Sequence, residues 1–544
     1  MTRLAATLML IALSAPTAAA QTASAPRAQS TNGAVQGLTL PSGVRSFRGI
    51  PYAAPPVREL RWQPPRPAAP WPGVRLADRF ADQCMQARVF GDMMFRNAGM
   101  SEDCLHLNVW TPADAVPGAD LPVLFYIYGG GWVAGDGSEP RYDGESMARR
   151  GIVVVTLSHR LGIFGFFSHP ELTAESPQRA SGNYGHLDQV AALRWVRDNI
   201  ASFGGDPEQV TIAGESAGSF SVSALMASPI ARGLFARAIG QSGAYLGTTL
   251  LAPSRVESER HGVRFAQRVG AGSLADLRAL SATELLEASG QPGAPRFSAN
   301  IDGAFFPKAV HEIYAAGEQA HVPLLAGWNS QEMDGRGLLR GAELTLENAR
   351  AILAQQFGAR AAEAERLFPM GTVEQAEQSL TDLASDRFIG YSTWKWLEEH
   401  ARTSGQPVYR YFYTRPRPGA VEAGVTANLA GGVTRGGTGA ASPPPPARGA
   451  VHSAEIEYAM GNLPLNKVFA WTSDDYTVSA TMQGFFERFI KTADPNGAGL
   501  PHWPLGTVDP DGEVRRMRID VESRAELEPR ARYLLQDQAS ADRR

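Results

Sequence analysis

The chain has 544 residues, 51 of them basic and 55 acidic, for a formal net charge of −4. Apolar residues make up 44%, an ordinary globular value, so a large core can be buried without special devices. Only four basic residues are lysine (Lys308, Lys395, Lys467 and Lys491), and the arginines are scattered among the acids without a basic face, which excludes nucleic acid as a main partner.

In chain order, the first feature is a processing segment. Arg3 supplies a positive start, residues 4–13 (LAATLMLIAL) form a short apolar stretch, and Ala18-Ala19-Ala20 offers a cleavage site. Ten apolar residues fall well short of the ~20 needed to span a bilayer, so the reading is a cleaved signal peptide over residues 1–20 and an exported, periplasmic or secreted protein. Residues 21–31 are small and polar, and are expected to be a disordered leader. Cys84 and Cys104 are the two cysteines, and an even pair in an exported chain predicts a disulfide, with two buried free thiols as the alternative. A bridge closing about twenty residues would contribute roughly 3 kcal/mol. Neither cysteine has zinc-site spacing.

Four short apolar runs follow: residues 123–128 (VLFYIY), 152–157 (IVVVTL), 210–213 (VTIA) and 322–326 (VPLLA). Their length and β-branched content predict buried parallel strands. Residues 187–200 (LDQVAALRWVRDNI) carry apolar side chains at helical spacing. Strands alternating with helices predict the α/β class, a large mostly parallel sheet with helices on both faces. Without a dividing linker, residues 32–535 are expected to form a single domain. Residues 415–450 are rich in Gly, Ala and Pro, including Pro443–Pro446, and predict a mobile surface loop without a core of its own. Its end lies beside His452, a position from which it could gate a cleft. No further segment is long and apolar enough to cross a membrane, so the mature chain is expected to be soluble.

Two glycine-containing turns carry chemistry. Gly214-Glu215-Ser216-Ala217-Gly218 follows the strand VTIA and precedes a run of small and apolar residues. The pattern G-x-S-x-G alone is weak, but a tight strand-to-helix turn lifts the serine hydroxyl above the sheet edge, where a substrate reaches it. The alternative is a small-residue turn in which Ser216 merely caps the next helix. The strand VLFYIY runs into Gly129-Gly130-Gly131-Trp132. Acyl transfer needs backbone N–H donors aimed at the developing oxyanion, and glycines let that backbone approach closely. A flexible connecting turn is the alternative there.

Together with other motifs, these turns resemble the type-B carboxylesterase/cholinesterase family of α/β-hydrolases, in particular its bacterial carboxylesterase and para-nitrobenzyl-esterase-like members. Phe47-Arg48-Gly49-Ile50-Pro51-Tyr52-Ala53 is similar to the family's FxGIPYA segment. Ser101-Glu102-Asp103-Cys104-Leu105-His106-Leu107-Asn108 resembles its SEDCLxLN signature, and Asp494-Pro495-Asn496 with Trp503-Pro504 its DPN…WP ending. The resemblance covers essentially the whole mature chain. It implies Ser216 as nucleophile, Glu332 in Gly327-Trp328-Asn329-Ser330-Gln331-Glu332 as the triad acid, and His452 in Gly449-Ala450-Val451-His452 as the base. By the same carry-over, the N–H groups of Gly130, Gly131 and Ala217 form an oxyanion hole, and Cys84 and Cys104 match the family's first disulfide. No cofactor or metal is implied.

Alternatives to this assignment stay open from sequence. Asp334 could orient the imidazole in place of Glu332, and His106, His159, His186 and His502 are rivals to His452. Glu455 and Glu457 read as structural carboxylates near the histidine. Tyr128, Trp132, His159 and His186 depart from residues common in the family. No tryptophan lies between Cys84 and Cys104, so a cation–π site for a quaternary ammonium group has no ring there, and cholinesterase activity is not expected. The implied function is a serine carboxylic-ester hydrolase acting on small neutral, fairly apolar esters, as a monomer or homodimer. Rival readings are an inactive binding or adhesion module, and the same site used for lipase, amidase or acyltransferase chemistry.

Overall fold

The computed structural model describes residues 25–90, 93–427, 433–435, 447–508 and 512–542. The segment expected to be a signal peptide lies outside them. An eleven-stranded sheet forms the centre. Its strands in chain order are β1 (Leu38–Thr39), β2 (Arg45–Pro51), β3 (His106–Thr111), β4 (Leu121–Ile127), β5 (Val153–Leu157), β6 (Gly205–Glu215), β7 (Arg237–Gln241), β8 (Leu324–Asn329), β9 (Val408–Tyr413), β10 (Arg515–Ile519) and β11 (Arg524–Leu527). The spatial order is β11-β10-β9-β8-β7-β6-β4-β5-β3-β2-β1. From β10 through β5 every neighbour is parallel, and the remaining pairs at the two edges are antiparallel.

Side chains alternate across this sheet and divide the core in two. Val123, Phe125 and Ile127 of β4 join one buried cluster, whereas Leu124 and Tyr126 join the other. Helices α1 (Tyr184–Asn199) and α2 (Ala217–Ala227) cover the first face, and α3 (Ile456–Met460) and α4 (Ser473–Thr492) the second. The central strands are buried on both faces, which is why they read as continuous apolar runs. Among the described residues no helix is long and apolar enough to cross a membrane. Cys84 and Cys104 form a disulfide.

Two expectations need correction. Part of the supposed leader is ordered: Arg27–Ser30 pairs antiparallel with Gly33–Gln36. Ala28 and Ser30 point inward, and the Ser30 hydroxyl donates to the Gly33 carbonyl at 2.8 Å, so small side chains supply a buried face without an apolar run. The supposed mobile loop is tethered where it begins. Arg415 pairs with Asp475 at 2.8 Å, and the buried Arg417 guanidinium pairs with Glu457 at 2.7 Å while lying over the Phe469 ring. Val425–Ala427 then pairs with Val433–Arg435 as a short hairpin. Residues 428–432 and 436–446, with the four prolines, lie outside the described residues.

Candidate active site

The site lies at the carboxyl ends of the parallel strands, where open α/β sheets place their ligands. Ser216 occupies the single residue between β6 and α2, with φ 55° and ψ −122°. A non-glycine residue there is strained, and its surroundings hold it: the Ser216 N–H donates to the Gln241 carbonyl at 2.8 Å, and its own carbonyl accepts from the Phe220 N–H at 2.9 Å. The neighbouring glycines are steric necessities. A Cβ on Gly218 would sit 2.0 Å from the Ile127 carbonyl oxygen, and one on Gly214 would sit 2.7 Å from the same atom. At Gly214 and Gly218 the turn is therefore packed against the end of β4 too tightly for a side chain.

The glycine run leaving β4 meets that turn from the other side. A Cβ on Gly129 would lie 2.6 Å from Glu215 Oε2 and 3.1 Å from Ser216 Cβ. Gly130 and Gly131 have φ of 111° and 63°, in the region that favours glycine. Among the described residues the N–H groups of Gly130, Gly131 and Ala217 donate to no protein acceptor. Ala217 opens α2, so its N–H is also one of the unsatisfied donors of a helix start.

His452 and Glu332 come from loops stitched together. The Gln331 N–H donates to the Ala450 carbonyl, its side-chain oxygen accepts from the N–H groups of Arg448 and Gly449, and Asn329 Nδ2 donates to the Val451 carbonyl. This places His452 Nδ1 2.7 Å from Glu332 Oε2. The other carboxylate oxygen, Oε1, accepts from the Ser242 hydroxyl and the Asn329 N–H, both at 2.6 Å. Glu332 is fully buried. Asp334 instead accepts from the Arg336 N–H at the start of a 3₁₀ turn.

Three further residues surround this pair: Glu215 and Ser242, which sequence reasoning left unassigned, and Glu455, expected as a structural carboxylate. Glu215, the variable residue before the serine, puts Oε1 3.3 Å from His452 Nε2, without a hydrogen bond to it. Glu455 accepts from Asn329 Nδ2 at 2.5 Å and from Gln241 Nε2 at 3.3 Å. Ser242 follows β7 directly and, like Ser216, has positive φ. The only sequence signal for it is a small-residue turn after a buried strand. Burial penalises the imidazolium, yet the carboxylates of Glu215, Glu332 and Glu455 outweigh that and hold His452 up at about 9. Burial, then neighbouring carboxylates, push Glu215 up to about 8 and Glu455 to about 7. The cluster titrates as a unit. Glu457 is engaged elsewhere, with Arg417.

Ser216, Ala217, Gly130, Gly131 and His452 line one cavity of about 270 Å³, walled by Trp132, Phe220, Leu250, Met333 and Phe388. Phe388 packs edge-on to His452, with ring centres 5.2 Å apart. Ser216 and His452 share the cavity without a hydrogen bond between them, a separation that commonly closes when substrate binds. None of His106, His159, His186 or His502 lines it. His159 stacks on Tyr128 at 4.7 Å and is held down at about 3 by burial. His186 stacks on Phe305 at 5.1 Å and is held at about 4, again by burial. Among the described residues no group of three or more His, Cys, Asp or Glu side chains could hold a metal ion.

A mostly parallel sheet with a strained serine after one strand, a glycine run after another and a buried acid beyond a third defines the α/β-hydrolase class. The comparison with known proteins narrows it. The model of the carboxylesterase family matches residues 24–532, and the chain belongs to that family; it is a carboxylesterase. It is 35% identical over 491 residues to the fumonisin B1 esterase of Sphingopyxis macrogoltabida, covering 87% of this chain and 83% of that one. Carboxylesterase 1C of Mus musculus is 34% identical, with 86% and 84% covered. Among solved structures, a PNB esterase aligns with a TM-score of 0.76 and the Geobacillus stearothermophilus carboxylesterase EST55 with 0.77, each at 30% identity over 94% of this chain and 99% of the other.

Proposed function

We propose that this carboxylesterase works through Ser216, His452 and Glu332 and an acyl-enzyme. The observation that carries the reading is the 2.7 Å contact between His452 Nδ1 and Glu332 Oε2 at the wall of the cavity that holds the strained Ser216. His452 Nε2 takes the proton of Ser216 Oγ as that oxygen attacks the ester carbonyl. Glu332 fixes the tautomer, keeping the proton on Nδ1, and stabilises the imidazolium without itself being protonated. The N–H groups of Gly130, Gly131 and Ala217 receive the oxyanion, each donor being worth about 2.7–4 kcal/mol. His452 then protonates the leaving alcohol, and water repeats the sequence on the acyl-enzyme.

Apolar walls around about 270 Å³ suit esters whose groups next to the scissile bond are uncharged and of short or medium length. The names of its relatives point to unlike esters, fumonisin B1 in one case, so the cavity is the better guide here. The test is hydrolysis of p-nitrophenyl esters from acetate to palmitate. The expected result is kcat/KM peaking at short or medium chains; a peak at palmitate would contradict the cavity argument. For location, the Cys84–Cys104 disulfide supports export of the chain to the periplasm or beyond after cleavage near Ala20, since such bridges persist in oxidising compartments.

The carboxylate cluster sets a pH dependence. His452 accepts a proton only when neutral, so activity falls as pH drops through its pKa, and a pKa raised above 6.5 moves that fall toward alkaline pH. Glu215 is the foremost charge raising it. Glu215→Gln is therefore expected to move the acid limb of kcat/KM to lower pH by at least about half a unit. A profile measured on a neutral ester that keeps its midpoint would show that Glu215 does not act on His452.

A further inference from the structure

The cavity is lined by one charged side chain that the proposed chemistry leaves without a task. Glu215 and His452 belong to the cluster already described, and Arg141 is buried and paired with Glu139 at 2.8 Å. Arg296 is different. It lines the same cavity, is exposed to solvent, and among the described residues has no carboxylate within ion-pair distance. It lies in an irregular segment between helices, so it caps no helix and pairs in no strand. A guanidinium stays charged at any working pH, and its planar fork matches a carboxylate in two parallel hydrogen bonds.

Its side of the cavity can be identified. Tyr245 is buried behind the wall, stacked on Trp132 at 5.5 Å and edge-on to Phe220 at 5.3 Å. Arg296 lines the cavity together with Trp132 and Phe220, and it is the charge that acts against the burial that raises the Tyr245 phenol behind that wall. Phe388, in contrast, packs on His452. Because His452 delivers the proton to the departing alcohol, the alcohol occupies the Phe388 side. The wall that carries Trp132, Phe220 and Arg296 is then the one left for the acyl group.

We propose that Arg296 binds a carboxylate at the far end of the acyl chain, so that monoesters of dicarboxylic acids are a substrate class of this enzyme. The inference rests on the Ser216–His452–Glu332 reading and deepens it. The groups beside the ester remain apolar and the charge sits at the cavity mouth. The reaction is ordinary hydrolysis: the alkyl C–O–acyl bond breaks at the acyl carbon, water supplies the new oxygen, the alcohol leaves with a proton, and the remote carboxylate is unchanged.

The test compares monoethyl adipate with ethyl hexanoate, matched in acyl length, by following proton release with the full-length enzyme and its Arg296→Gln and Arg296→Lys variants. Arg296→Gln is expected to lower kcat/KM for monoethyl adipate by about tenfold or more, chiefly through KM, and to leave ethyl hexanoate within about twofold; Arg296→Lys restores much of the loss. Added salt shrinks the wild-type preference, as it must for a solvent-exposed charge. An equal effect of Arg296→Gln on both esters, or no effect on either, overturns the proposal. So does wild-type enzyme that cleaves ethyl hexanoate and ignores monoethyl adipate. Ethyl hexanoate hydrolysis that survives Ser216→Ala would instead mean that the triad reading, and not the arginine, has failed.

Discussion

Ser216→Ala is expected to lower kcat by about 10⁵–10⁶ and to leave KM for short esters little changed, by comparison with serine knockouts in other triads. The substitution removes one oxygen and adds no bulk to a turn where a Cβ already exists. The strained φ of 55° is imposed by Gly214 and Gly218 packed against β4, and alanine inherits it. The protein should therefore fold and bind as before, with the oxyanion donors of Gly130, Gly131 and Ala217 in place. What remains is the modest catalysis of binding and electrostatics without a nucleophile. The check is kcat on p-nitrophenyl butyrate beside thermal unfolding of both proteins. A tenth or more of the turnover surviving would remove Ser216 from its role.

The second large effect is expected at Glu332. Glu332→Gln should lower kcat by about 10⁴, comparable to the loss when the acid of another triad becomes an amide. The reason lies in the other oxygen. Oε1 accepts from both Ser242 and the Asn329 N–H, so glutamine must place its carbonyl there and turn its NH₂ toward His452 Nδ1. Two donors then face each other unless the imidazole moves its proton to Nε2, and that tautomer cannot accept from Ser216. Asp334→Asn, which alters only a cap on Arg336, should leave kcat within about twofold. A loss of less than tenfold for Glu332→Gln, or a larger one for Asp334→Asn, would reverse the assignment.

What the sequence made legible follows from how local each feature is. Strands buried on both faces announce themselves as apolar runs: residues 152–157 were expected and Val153–Leu157 is found. β9 (Val408–Tyr413) is less readable because Arg410 sits inside it, fully buried, and its partners Glu398 and Glu528 are invisible to any periodicity. The strand Arg27–Ser30 was missed because Ala28 and Ser30 bury a face too small to register as apolar. In the site, Ser216 and the glycine run were readable because each adjoins its own strand. Glu332 and His452 stand 120 residues apart, and only the family resemblance joined them. Glu215 and Ser242 carried no signal specific to a role in the site. One is the variable position of a motif, the other a serine in a turn, and both matter only through what the fold brings to His452.

The central claim is that one serine does the chemistry, and covalent capture tests it most directly. Enzyme treated with a fluorophosphonate ester, which mimics the tetrahedral species and stays attached, is analysed by intact mass and then by peptide mass. The account predicts a single adduct on the peptide containing Ser216, esterase activity lost in step with labelling, and no adduct on Ser216→Ala. An adduct at another residue, or activity that persists once Ser216 is fully labelled, would contradict it.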